Sequence, residues 1–168
     1  NKEAVKLLNL IGMTDVKSVT SFVGAEQEYF LVDEEYYEKR LDLKLTGRTL
    51  YGANPPKGQE LEGHYYGYLN NRVANFMKEL DQELWKYGIP AKTKHKEAAP
   101  AQHEIACIYR KVNITTDNNH LIMQLMQDIA KKHGLRCLLH EKPFRGVNGS
   151  GKHNNWSVVT NTGINLFK

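Results

Sequence analysis

Four glutamates and one histidine carry the chemistry this sequence can offer. Glu26 and Glu28 stand two apart in 21–33, a run rich in Phe, Tyr and Val that reads as a strand. Alternation puts residues i and i+2 on one face, so both carboxylates point the same way, about 6.6 Å apart along the strand. Phe22, Phe30 and Val32 share that face, which makes it a packing side. Carboxylates there need cations or hydrogen-bond donors. Two readings stay open on pattern alone: two solvated glutamates on an edge strand, or a pair of ligands for two hard cations. Glu97 and Glu104 flank the Ala98-Ala99-Pro100 turn of a hairpin within 91–109, which brings them near each other. His95 and His103 lie in the same hairpin, and the pattern assigns neither a role. His153 follows the loop Val147-Asn148-Gly149-Ser150-Gly151-Lys152. Its glycines let a ligand approach the backbone, although the same residues also make a plain turn. Oxygen donors with a single imidazole suit Mg²⁺ or Mn²⁺ rather than zinc or copper. More carboxylates than one cation needs suggest a two-metal site, of the kind that serves phosphoryl transfer or hydrolysis.

The elements that must hold these residues follow from periodicity. Ala4, Leu7, Leu8 and Ile11 predict a helix over 2–11 that stops at Gly12. The stretch 41–63 reads as irregular, with Asn54-Pro55-Pro56-Lys57-Gly58 as loop punctuation. Tyr66, Leu69, Val73, Phe76, Leu80, Leu84 and Tyr87 predict a long helix over 65–87, ended by Gly88 and Pro90. A second long helix is predicted over 116–133, capped by Thr115, Thr116 or Asp117 and ended by Gly134. Short strands follow at 135–139 and from Trp156 onward.

The chain has 168 residues, 40% hydrophobic and 25% charged, which is the composition of one globular domain. No run of apolar residues is long enough to span a membrane. The net charge of +4 is scattered, without a basic block or a stacked-aromatic platform, which speaks against nucleic acid as a partner. Cys107 and Cys137 are too few and too far apart for a disulfide framework or a zinc site. With no charged-then-apolar leader at the first residues, this predicts a cytoplasmic protein. The chain begins with Asn rather than Met, so it is expected to be a piece of something longer.

Three segments then stand out together: Gly24-Ala25-Glu26-Gln27-Glu28-Tyr29-Phe30, Lys96-Glu97-Ala98-Ala99-Pro100-Ala101-Gln102-His103-Glu104 and Asn148-Gly149-Ser150-Gly151-Lys152-His153. In order and spacing they resemble successive motifs of the glutamine synthetase family. Gly52-Ala53-Asn54-Pro55-Pro56-Lys57-Gly58 and His153-Asn154-Asn155-Trp156-Ser157 are similar to its type III branch. The resemblance implies that Glu28, Glu97 and Glu104 hold one Mg²⁺ or Mn²⁺, and Glu26 and His153 a second. It implies that Asn148 and Gly149 contact glutamate and that Tyr109 and Ser157 lie near ATP. The implied reaction phosphorylates the γ-carboxylate of glutamate, and ammonia displaces the phosphate. The sequence departs from the commoner pattern at Asn155, where other branches carry His, and at Val147, where Asp is common. The interval from Glu97 to Glu104 is also one residue short, so the turn must differ.

The expected fold is α+β: an antiparallel, curved sheet whose concave face carries the glutamates, backed by the two long helices. The expected domain, 1–168, is the N-terminal portion of a catalytic domain, with no catalytic residue assigned within it. The chain alone is then expected to be inactive, and the parent a homo-oligomer of stacked rings. The alternatives are a γ-glutamyl ligase for another amine and a non-catalytic scaffold relative.

Overall fold

One strand organises the molecule. The computed structural model describes residues 1–168 and every side chain but that of Thr93. In chain order the elements are α1 (Lys2–Leu10), β1 (Val19–Asp33), α2 (Glu34–Glu38), α3 (Leu41–Thr46), a 3₁₀ segment (Glu60–Tyr66), α4 (Asn71–Lys86), β2 (Ala91–Lys96), β3 (Gln102–Cys107), β4 (Arg110–Lys111), α5 (Val112–Lys132), β5 (Leu135–Leu138) and β6 (Lys152–Thr160). The 15 residues of β1 are long enough to pair two strands on each edge. One edge takes β3 along 26–30 and β4 at 22–23. The other takes β6 along 19–27 and β5 along 30–33. β2 adds outside β3, and every pairing is antiparallel. The sheet curls into a half-barrel, the expected α+β architecture.

Helices α4 and α5 cover one face of the sheet. Their Phe76, Leu80, Leu84, Ile122, Met126 and Ile129 close over Tyr29, Leu31 and Ile105. Each fully buried residue of this size contributes about 1.5–3 kcal/mol through removal from water. A smaller cluster of Phe30, Leu43, Ala99 and Leu138 lies on the other face, beneath the carboxylates.

Helix boundaries differ from the periodic expectation for identifiable reasons. The helix expected over 65–87 begins only at Asn71, because the Asn70 side chain accepts from the Val73 N–H at 2.9 Å and caps it there. Tyr65 and Tyr66 belong instead to the 3₁₀ segment, and Tyr66 is 90% exposed. The helix expected from Thr116 begins four residues earlier, at Val112, and no side chain caps it. Thr115 is turned inward, donating to the Val23 carbonyl at 2.9 Å. Within the stretch expected to be irregular, α3 forms and ends at Gly47, whose φ of +75° suits glycine. His153 lies inside β6, which starts at Lys152 rather than near Trp156.

Candidate metal centre and adjoining cavity

Cross-strand pairing assembles the carboxylates. Glu28 on β1 faces Glu104 on β3, which in turn faces His95 on β2. One step along the sheet, Glu26 faces His153 on β6. Directly paired residues point to the same side, and here that side is away from α4 and α5. Glu97 joins through the hairpin turn, where its N–H donates to the Gln102 carbonyl at 3.0 Å. The left-handed residue at the turn is Ala101, with φ of +60°.

All five residues expected as ligands come together. One ligand atom each from Glu26, Glu104 and His153 lie within 4.8 Å of one another, as do atoms of His95, Glu97 and Glu104. His153 Nδ1 is 3.7 Å from Glu26 and 3.6 Å from Glu28. His95 was not among the expected ligands, yet its Nε2 is 3.2 Å from Glu104. Its spacing two before Glu97, which follows directly on β2, is the sequence signal that could have found it.

Three of the four carboxylates are also aimed by a fixed donor. The Gly151 N–H donates to Glu28 Oε2 at 2.9 Å, and a Cβ at Gly151 would lie 2.5 Å from that oxygen. The Tyr65 hydroxyl donates to Glu97 Oε2 at 2.6 Å. Asn155, where the family resemblance leads one to expect His, donates from Nδ2 to Glu26 Oε1 at 2.5 Å.

The electrostatics are unusual for groups so deep. Glu28, Glu97 and Glu104 are only 6%, 5% and 7% exposed. Among the described residues, no lysine or arginine forms an ion pair with them or with Glu26; histidines alone approach. Burial raises the Glu104 pKa above the usual carboxylate range, and the charges of Glu97, Glu26 and Glu28 add to the rise against the opposing effect of His95. The Tyr65 hydroxyl is pushed up as well, chiefly by its hydrogen bond to Glu97 and then by burial. Hard oxygen donors converging without an internal counter-charge fit divalent cations such as Mg²⁺ or Mn²⁺.

The loop of residues 147–151 is locked from behind. A Cβ at Gly149 would stand 1.7 Å from the Glu141 carbonyl oxygen, so only glycine fits. Gln102 Nε2 donates to the Gly149 carbonyl at 2.8 Å, and buried Ser150 donates to the Leu138 carbonyl at 2.9 Å. Asn148 is engaged by Gln59, whose Nε2 donates to its Oδ1 at 3.1 Å.

Tyr109 and Ser157 line one cavity of about 860 Å³, together with Phe22, Gly24, Trp156 and, at one side, Glu26. The Tyr109 ring stands edge-on to Phe22 at 6.2 Å. No helix of the protein is long and apolar enough to cross a membrane.

Comparison with known proteins gives a consistent picture. The family described as the catalytic domain of glutamine synthetase matches residues 5–168. A glutamine synthetase of Butyrivibrio fibrisolvens is 58% identical over 99% of this chain and 24% of its own length. A type-3 glutamine synthetase of Dictyostelium discoideum is 46% identical over 100% of this chain and 23% of its own length. The chain thus spans about a quarter of the length of these relatives. Among solved structures, a Plasmodium falciparum glutamine synthetase determined by cryo-electron microscopy aligns with a TM-score of 0.66 at 19% identity, covering 99% of this chain and 34% of that one. A GmaS/ADP complex aligns with a TM-score of 0.64 at 22% identity, covering 99% and 34%.

Proposed function

Because the chain belongs to the glutamine synthetase family, we propose that it builds the cation-holding wall of an active site that joins ammonia to L-glutamate while ATP is converted to ADP and phosphate. The observation that carries this reading is the convergence of four glutamates, three of them buried, without a lysine or arginine paired to any. Buried acids are tolerable where cations compensate them. Glu28, Glu97 and Glu104 would hold one Mg²⁺ or Mn²⁺, and Glu26 and His153 a second. Divalent cations bound there supply charge neutralisation for the phosphoryl group in transfer.

The chain's own residues do the positioning. Asn155 holds one oxygen of Glu26, which leaves the other turned to His153. Tyr65 holds one oxygen of Glu97, which leaves the other on the side of His95. Asn148 and Gly149 would meet the substrate glutamate, and the cavity between Tyr109 and Ser157 would take the nucleotide. In the reaction, the γ-carboxylate of glutamate attacks the γ-phosphorus of ATP and ADP leaves. Ammonia then attacks the acyl carbon of γ-glutamyl phosphate, phosphate leaves, and the added nitrogen loses a proton. Phosphate oxygens also need cationic side chains, and none stands at the carboxylate cluster among the described residues. In this reading the active protein is a cytoplasmic homo-oligomer of stacked rings, and the chain alone forms no glutamine.

A Mn²⁺ titration followed by electron paramagnetic resonance tests the reading, with the Glu28→Gln/Glu97→Gln double variant as control. Saturable binding that the double variant loses is the expected result. Equal binding by the double variant would sink the assignment. If the chain alone binds no Mn²⁺, the same pair of titrations on the intact protein decides by the same criterion.

A further inference from the structure

We propose that a cavity at the α2 end of β1, lined by none of the four glutamates, binds a small monocarboxylate with an apolar body. The cavity encloses about 560 Å³, within the roughly 300–1,000 Å³ range of small-molecule sites. It lies where β1 runs into α2, between the α2–α3 segment, the start of α4 and the β2–β3 hairpin.

Strand alternation creates it. His95 and Glu104 are a cross-strand pair on the metal face, and the next pair along, Lys96 and His103, points the opposite way. His103 is only 4% exposed and stacks on Tyr29 at 5.6 Å between ring centroids. Its Nδ1 has no hydrogen-bond partner, although buried polar atoms are normally satisfied.

The cations around the cavity differ in how they are engaged. Arg40 donates twice to Asp42, at 3.0 and 2.7 Å, and once to the Tyr51 carbonyl at 2.8 Å. Arg72 is paired with Asp33. Lys96 forms no ion pair among the described residues, and Gly67 leaves it room: a Cβ there would stand 2.8 Å from Nζ. The wall therefore carries one positive charge that no acid matches. A single carboxylate matches it, whereas a phosphate dianion would leave a charge over. His103 lines the same wall beside Lys96. Leu31, Leu43, Leu69, Val73, Leu135 and Phe144 supply an apolar wall for the rest of the ligand.

The inference does not depend on the proposed ligase reading, and the experiment keeps the two apart. The intact protein is titrated calorimetrically with hexanoate and with its neutral isostere hexanamide, both in excess EDTA so that no metal-bound carboxylate contributes. Loss of one charge-assisted contact predicts hexanamide binding about tenfold to a hundredfold weaker. Lys96→Met should reduce hexanoate affinity by a similar factor and Lys96→Arg should restore it. Exposed Lys131→Met should change nothing. Equal affinity for acid and amide, no binding of either, or full hexanoate affinity in a folded Lys96→Met variant would overturn the proposal. The acid–amide comparison needs no variant, so it decides even if Lys96→Met fails to fold.

Discussion

The two faces of β1 are buried to similar depth and filled with opposite chemistry. Toward the helices, Tyr29 and Leu31 meet aliphatic and aromatic side chains of α4 and α5. Gln27, buried on that side, is matched by Asn119, whose Nδ2 donates to its Oε1 at 3.1 Å, while the buried Tyr29 hydroxyl has no partner. Toward the half-barrel's other face, Glu28 and its partner Glu104 are as buried as much of the core. Depth alone therefore does not distinguish a core from a site; what distinguishes them is whether buried charge has found its complement within the chain. The buried cluster on the helix face contains no charged residue, whereas the carboxylate face has unmatched negative charge.

That contrast predicts separable mutational effects. Leu80→Ala on the helix face should cost about 3 kcal/mol of stability in urea unfolding and leave Mn²⁺ affinity unchanged. A parallel fall in affinity would break the comparison. On the other face, Glu104→Gln should lower Mn²⁺ affinity by about 100-fold without lowering the melting temperature in chelator, because it removes a charge that burial and three neighbouring carboxylates oppose.

A third variant sharpens the point by using an acid that does have its own cation. The Arg40 guanidinium, followed by the backbone N–H groups of Leu50 and Leu43, holds the Asp42 carboxyl well below the usual range. Asp42→Asn should cost about 2 kcal/mol at neutral pH. A depressed folded pKa stabilises the fold above the unfolded value of about 3.9 and loses that contribution as the pH falls further. The stabilities of wild type and variant should therefore draw together as the pH falls below about 3.9, and meet only below the depressed folded value, in a pH series of denaturation curves. Convergence on the alkaline side instead would contradict the assignment. The smallest effect concerns the boundary of α4: Asn70→Ala should cost about 1 kcal/mol, read by the same unfolding assay, with Mn²⁺ binding intact.

Much of the site was legible in the sequence because its residues are spaced by strand geometry. Glu26 and Glu28 follow the two-residue repeat, and the Ala98–Pro100 turn brings Glu97 and Glu104 to one side as expected. His95 escaped because a single histidine has no pattern of its own until its neighbours' faces are known. The start of α4 escaped because Tyr66 and Leu69 continue the helical spacing past a cap that a hydrophobic repeat does not register. Tyr65 looks like part of that apolar stripe, yet its hydroxyl serves Glu97. The early start of α5 has a similar origin: Val112 and Ile114 are exposed, so they gave no apolar stripe to read. Lys96 and His103 gave no signal at all, since only the fold sets a cation with no matching acid beside an unsatisfied imidazole.

The four-way pairing of β1 has a consequence during synthesis. Its first edge can be covered once β3 and β4 emerge, but its longest partner, β6, begins only at Lys152. Residues 34–151 must be made in between, which at about 5–20 residues per second takes the ribosome about 6 to 24 s. Through that interval a strand of 15 residues waits with an open edge, the kind of template on which nascent chains stick to one another. Glu26 and Glu28 keep the waiting strand charged and so discourage such contacts. The acids whose charge stays unmatched in the finished pocket would then act earlier too, as the chain's guard against its own copies.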